Sequence, residues 1–113
     1  MKTYSGSCHC GAVRFTAATD LETVIECDCS HCHRKGFVLV FVPPEAFNLL
    51  SGEDSLTEYL FNSKTIRHRF CKVCGVQPFA EGLTSRHIAI NLRCLEDLDF
   101  DSLSPTKYNG KDL

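Results

Sequence analysis

The sequence predicts an all-β fold built around zinc knuckles. Three observations carry that expectation. Short apolar or alternating runs recur along the chain between Gly, Pro, Asn or Ser, helical periodicity is weak throughout, and eight cysteines stand in 113 residues, most of them in tight clusters. In chain order the strand-like runs are 12–17, where Val13 and Phe15 alternate with Arg14 and Thr16, then 23–27 and the apolar stretch 37–42. Runs 56–61, 65–70, 76–80 and 87–93 continue the series. Helical turns are expected only after Cys29 and over 44–48, behind the Pro43-Pro44 break. Segment 95–101, with Leu95, Leu98 and Phe100 among acidic residues, and the polar tail 104–113, with a Tyr108-Asn109-Gly110 turn, are expected to run over the surface.

Length predicts a single domain spanning residues 1–113 with a thin core. Apolar residues at 43% and charged residues at 23% are ordinary for a globular chain and exclude disorder or a coiled coil. A net charge of -2 and a pI near 6.2 leave no basic surplus for phosphate backbones or anionic lipids, so neither nucleic acid nor a membrane is an expected partner. The longest apolar run, 37–44, is too short to span a bilayer, and Met1-Lys2-Thr3-Tyr4-Ser5 lacks a signal-peptide apolar region. A cytoplasmic address follows, and in a reducing compartment clustered cysteines read as metal ligands rather than as a disulfide framework. The one-residue spacings of Cys8/Cys10 and Cys27/Cys29 agree, because they strain a direct disulfide but suit two thiolates converging on one ion.

The clearest cluster is Cys71-Lys72-Val73-Cys74-Gly75. A C-x-x-C followed by Gly is a zinc knuckle: the turn aims both sulfurs at one ion, and Gly supplies the positive φ. Such a knuckle is half of a tetrahedral site, and Cys8/Cys10, also followed by Gly11, is the natural other half. Cys27, Cys29 and Cys32 then remain as three thiolates within six residues, and three protein ligands with an open position is the catalytic pattern for zinc. Zn²⁺ with three thiolates carries a net charge of -1 and prefers a soft fourth ligand, which points to an exogenous thiol and thiol-adduct chemistry. Two other partitions fit the spacing. Cys29/Cys32 pairs with Cys71/Cys74 in a ribbon-like site, or His31, His33 or Cys94 closes the second site as another staple. Cys94, after a strand-like run, reads as a buried hydrophobe.

Gly6-Ser7-Cys8-His9-Cys10-Gly11-Ala12-Val13-Arg14-Phe15, then Cys29-Ser30-His31-Cys32 with Gly36, then Phe70-Cys71-x-x-Cys74-Gly75, and later Asn91-Leu92-Arg93-Cys94-Leu95, together resemble the glutathione-dependent formaldehyde-activating enzyme and centromere protein V family. The resemblance implies a β-tent, Mss4-like fold. It implies a structural zinc on Cys8, Cys10, Cys71 and Cys74 and a catalytic zinc on Cys27, Cys29 and Cys32, two Zn²⁺ per chain. It also implies a carbon–sulfur lyase joining a thiol such as glutathione to an aldehyde such as formaldehyde. His31, His33 or Arg34 would then stabilise the new oxygen. The centromere and Mss4-like relatives suggest a competing role, a non-catalytic zinc module that presents a surface to a protein. A reductase role through Cys94, suggested by the likeness of the β-tent fold to methionine sulfoxide reductase B, is disfavoured because that family's two C-x-x-C zinc pairs are not reproduced.

Overall fold

A computed structural model describes residues 1–60 and 65–108. The fold is all-β. Among the described residues ten strands form two sheets, and the one α-helix, α1 (Ser30–Lys35), is six residues long. The smaller sheet orders β1 (Lys2–Ser7), β2 (Arg14–Thr19) and β5 (Phe47–Ser51). The larger runs β10-β3-β4-β9-β8-β7-β6, made from β3 (Ile25–Cys27), β4 (Leu39–Val42), β6 (Leu56–Tyr59), β7 (Ile66–Cys71), β8 (Phe79–Gly82), β9 (Ile88–Asn91) and β10 (Thr106–Tyr108). Every pairing is antiparallel except that of β10 with β3. No helix among the described residues is long and apolar enough to cross a membrane.

The seven strand-like runs all contain or adjoin a strand, but three further strands were not foreseen. Residues of β1 carry only Tyr4 and Gly6 on the inward face, a weak apolar signal. The turn expected over 44–48 is a 3₁₀ turn only at Pro44–Ala46, after which β5 begins. Packing decides this, because a strand lets Phe47 reach Phe79 and Phe15, with ring centroids 4.7 and 5.6 Å apart. The tail contributes β10, a polar strand whose backbone pairs with the open edge of β3 and whose Lys107 meets Glu26 across the pairing at 3.1 Å. The turn expected at Tyr108-Asn109-Gly110 and the end of run 56–61 lie partly outside the described residues. Segment 95–101 also departs from a surface path. Leu95 is buried beside Gly6 of β1, while Leu98 and Phe100 pack half-buried on the core.

The main core lies between the sheets, where Phe15, Val42, Phe79, Ile90 and Leu92 are almost wholly buried. Phe15 of β2, Phe47 of β5 and Phe79 of β8 meet as a cluster of tilted and edge-on rings that joins one sheet to the other. Gly6 allows this seam. A Cβ at residue 6 would stand 2.4 Å from Phe15 Cζ, and Phe15, itself 0% exposed, has no space into which to retreat. Gly6→Ala is therefore expected to destabilise the protein by about 1–3 kcal/mol. Chemical denaturation measures this, with Ser5→Ala on the exposed face of the same strand as a control near zero.

Candidate functional site

Cys8 follows β1 and Cys71 ends β7, and each opens a knuckle closed in the same way. The Cys8 amide donates to the Val13 carbonyl at 3.1 Å, and the Cys71 amide donates to that of Val76 at 2.9 Å. Inside each turn a glycine in the left-handed region, Gly11 or Gly75 at φ +83°, returns its amide to the carbonyl of the first cysteine. The sulfurs of Cys8, Cys10, Cys71 and Cys74 lie within 4.8 Å of one another. Cys8 and Cys10 sulfurs are 3.6 Å apart, and those of Cys10 and Cys71 3.7 Å. A tetrahedral site with zinc–sulfur bonds of about 2.3 Å sets its sulfurs about 3.8 Å apart, whereas a disulfide needs about 2.05 Å. The donor set fits a zinc ion.

Electrostatics give the same answer. The Val76 amide, with help from the Cys10 amide and the neighbouring thiols, lowers Cys74 to about 6. Cys10 accepts from the Ala12 amide, yet burial and the three other sulfurs carry it up to about 11. Four thiols this close cannot all ionise unless a cation offsets their repulsion.

The second cluster is local. Cys27 ends β3, Cys29 caps α1 and Cys32 lies in its first turn, and their three sulfurs fall within 4.8 Å of one another. The Cys32 amide donates to the Cys29 sulfur at 3.3 Å, and the Cys29 amide to that of Cys27 at 3.5 Å. Gly36 stops the helix at φ +70°, its amide bonded to the Cys32 carbonyl. Burial drives the Cys32 and Cys27 thiols up; at Cys29 burial is outweighed by hydrogen bonds from Cys32, and the thiol falls. Three soft donors of one sign suit the same kind of ion as the first cluster.

Among the described residues the two groups are separate and hold four and three members. The ribbon-like pairing of Cys29/Cys32 with Cys71/Cys74 is thus not formed, and neither His31, His33 nor Cys94 joins the group of three. Cys94 instead lies near the four-cysteine group. Burial, then the charges of Cys8 and Cys74, push its thiol up to about 11, as befits the hydrophobe expected from the sequence.

A pocket of about 380 Å³ opens beside α1, lined by His31, Arg34, Lys35, Tyr59 and Phe70. Of the three residues considered for an oxygen-stabilising role, His31 and Arg34 line it and the exposed His33 does not. His31 is held among rings: His68 at 4.1 Å, Tyr59 at 5.7 Å in a stacked arrangement, and Phe37 at 5.8 Å. Lys35 sits over the rings of Phe70, at 5.4 Å, and Phe37, at 6.0 Å. Burial, then the Lys35 charge, lowers His31. His68 is lowered to about 4, by burial first and then by His31 and Lys35. Tyr59, Phe70, His68 and Lys35 were not singled out from the sequence. They lie on β6, β7 and α1 with no shared motif, and the pairing of β6 with β7 sets Tyr59 opposite His68.

The description "Glutathione-dependent formaldehyde-activating enzyme" names the family that matches residues 3–108. The chain belongs to this family. A crystal structure of a Rhodobacter sphaeroides protein is similar to it at 27% identity and a TM-score of 0.83, over 93% of this chain and 99% of that one. Every residue of both family-member thiol clusters and of the pocket lies within the matched span.

The low value at His68 has a definite sign. A histidine near 6.5 when unfolded and about 4 when folded binds its proton only in the unfolded state between those limits. Stability from this group is full above pH 6.5 and is lost as pH falls towards 4. Between pH 7 and pH 5 the loss is about 2 kcal/mol. Denaturation at both pH values is expected to show the His68→Gln variant losing less stability than the unchanged protein by about that amount.

Proposed function

We propose that the chain is one zinc-stapled domain and a carbon–sulfur lyase that makes or cleaves a thiol–aldehyde adduct of the S-(hydroxymethyl)glutathione kind. The observation that carries this reading is the incomplete cluster: among the described residues Cys27, Cys29 and Cys32 supply three thiolates and no fourth, at the end of β3, the cap and the first turn of α1, whose His31, Arg34 and Lys35 wall the pocket. Cys8, Cys10, Cys71 and Cys74 supply a closed set of four and serve as the staple. Zinc held by the three thiolates would keep the substrate sulfur as a thiolate at neutral pH.

The protein's own residues do the rest. The half-buried to buried cysteines and the rings of His31, Tyr59 and Phe70 restrict water around the reacting sulfur. Attack of that sulfur on the aldehyde carbon forms the C–S bond and sends the carbonyl π pair to oxygen, which ends with the proton the thiol gave up. The reverse step returns both. His31, beside the cluster and on the pocket wall, donates a hydrogen bond to that oxygen as it gains charge. Arg34 and Lys35 give the pocket a positive rim, with no acidic residue in its lining among the described residues, which favours a thiol bearing carboxylates such as glutathione.

Zinc content tests the division of labour. The reduced protein is expected to hold two zinc ions per chain, and Cys29→Ala one, with the fold intact and adduct formation from glutathione and formaldehyde abolished. X-ray absorption should show one of the two sites gaining a sulfur neighbour when glutathione is added. A single zinc that ignores thiol and survives Cys29→Ala would leave a non-catalytic zinc module. Cys71→Ser, by contrast, is expected to unfold the protein, since structural zinc binding is worth about 10–16 kcal/mol in small zinc peptides.

A further inference from the structure

His68 is a buried titratable group against the pocket wall that the proposed chemistry does not use. Its residue is 6% exposed, and its ring meets that of His31 at a centroid distance of 4.1 Å. On its other side the carboxamide nitrogen of Gln77, 4% exposed, lies 3.2 Å from His68 Nδ1. A carboxamide nitrogen only donates, so with Gln77 in this orientation, which leaves its Oε1 buried without a partner among the described residues, Nδ1 accepts and the ring proton falls to Nε2. Gln77 is itself anchored. Its chain has just left the Cys71–Cys74 knuckle, and its backbone carbonyl accepts from Asn91 Nδ2 at 2.9 Å.

We propose that His68, locked by Gln77 as the Nε2–H tautomer, is a positioning residue that holds the His31 imidazole in one orientation at the pocket wall. The inference rests on the reading of His31 as the group that serves the substrate oxygen. An imidazole has a broad, roughly two-fold torsion at its ring, so packing alone leaves two faces nearly equivalent. Phe37 carries no polar atom that could choose between them. His68 is buried, polar and fixed in its proton position. With Nδ1 occupied, it cannot take a second proton without expelling the Gln77 N–H, so its pattern of one donor and one acceptor persists through the neutral range.

Nitrogen-resolved imidazole spectra of the zinc-loaded full chain at pH 7 test this directly. His68 is expected to carry its proton on Nε2 alone, and His31 to give one sharp set of ring signals. Gln77→Glu, whose carboxylate accepts from Nδ1–H, should move the His68 proton to Nδ1. Gln77→Leu should leave His68 as a mixture and broaden or double the His31 signals. With glutathione and formaldehyde, Gln77→Leu is expected to lower kcat about tenfold to a hundredfold with KM changed less than about twofold. A His68 proton on Nδ1 or averaged between nitrogens in the unchanged protein, or His31 signals indifferent to Gln77→Leu, overturns the proposal. Should Gln77→Leu fail to fold, the unchanged protein and Gln77→Glu still decide it. Absence of turnover in the unchanged protein would count against the lyase reading, while the ring spectra would still decide the role of His68.

Discussion

Two turns about sixty residues apart in sequence end on the same four sulfurs, and most of the architecture follows from holding them there. Cys10 and Cys71 are 61 positions apart and their sulfurs 3.7 Å apart. Closing so long a loop costs chain entropy, and crowding four thiols costs charge repulsion, so neither knuckle has reason to approach the other without a cation between them. With it, the arrangement propagates outward. Cys8, Val13 and Cys71 form their own buried cluster, 2% exposed or less, with Leu49 of β5 and Leu56 of β6 packed against it. This ties the edge of the small sheet to the end of the large one next to the seam of Phe15, Phe47 and Phe79. In a chain of this length, where apolar burial barely exceeds the entropy of ordering, such a tie decides whether the sheets stay together.

The second cluster differs in range rather than in chemistry. Its three cysteines span six residues and are oriented by a strand end, a helix cap and a helix turn, each satisfied by neighbouring backbone. Closing so short a segment contributes little to the fold, so the group is free to leave a coordination place unfilled. On the proposed reading, the division between staple and reactive centre has a topological cause. Under that reading, ligands drawn from distant parts of the chain would serve stability, while ligands drawn from one turn could be given to chemistry.

Legibility from the sequence followed the same line. Cysteine spacing plus a following glycine announced both knuckles, because the chemistry of a thiolate pair imposes a local pattern that Gly11 and Gly75 complete. The apolar run that became β4 and the alternation that became β2 were likewise local, and their ends shifted by up to two residues. What escaped was set by partners distant in sequence. β10 is a strand because β3 had an open edge, β5 because Phe47 found Phe79, and β1 because Gly6 admits the Phe15 ring. His68 and Gln77 carried no signal either. In β7 both His68 and Arg69 are buried, so no alternation marks which side chain faces the pocket, and Arg69 is accounted for only by Glu81 at 2.7 Å and Glu53 at 3.2 Å.

Gln77 shows how the two centres come to depend on each other. It stands three residues beyond Cys74, where the chain leaves the knuckle, and its side chain ends on His68 at the back of the pocket. Only exposed Gly75 and half-buried Val76 separate that carboxamide's residue from Cys74, while Asn91 of β9 fixes the Gln77 carbonyl and Pro78 beyond it is buried. If His68 orients His31 as proposed, a ring orientation near the three-sulfur site would be referred back to the four-sulfur one. The thin core makes this arrangement economical, since a protein with little apolar volume to spare for rigidifying a pocket can take that rigidity from its most strongly held element.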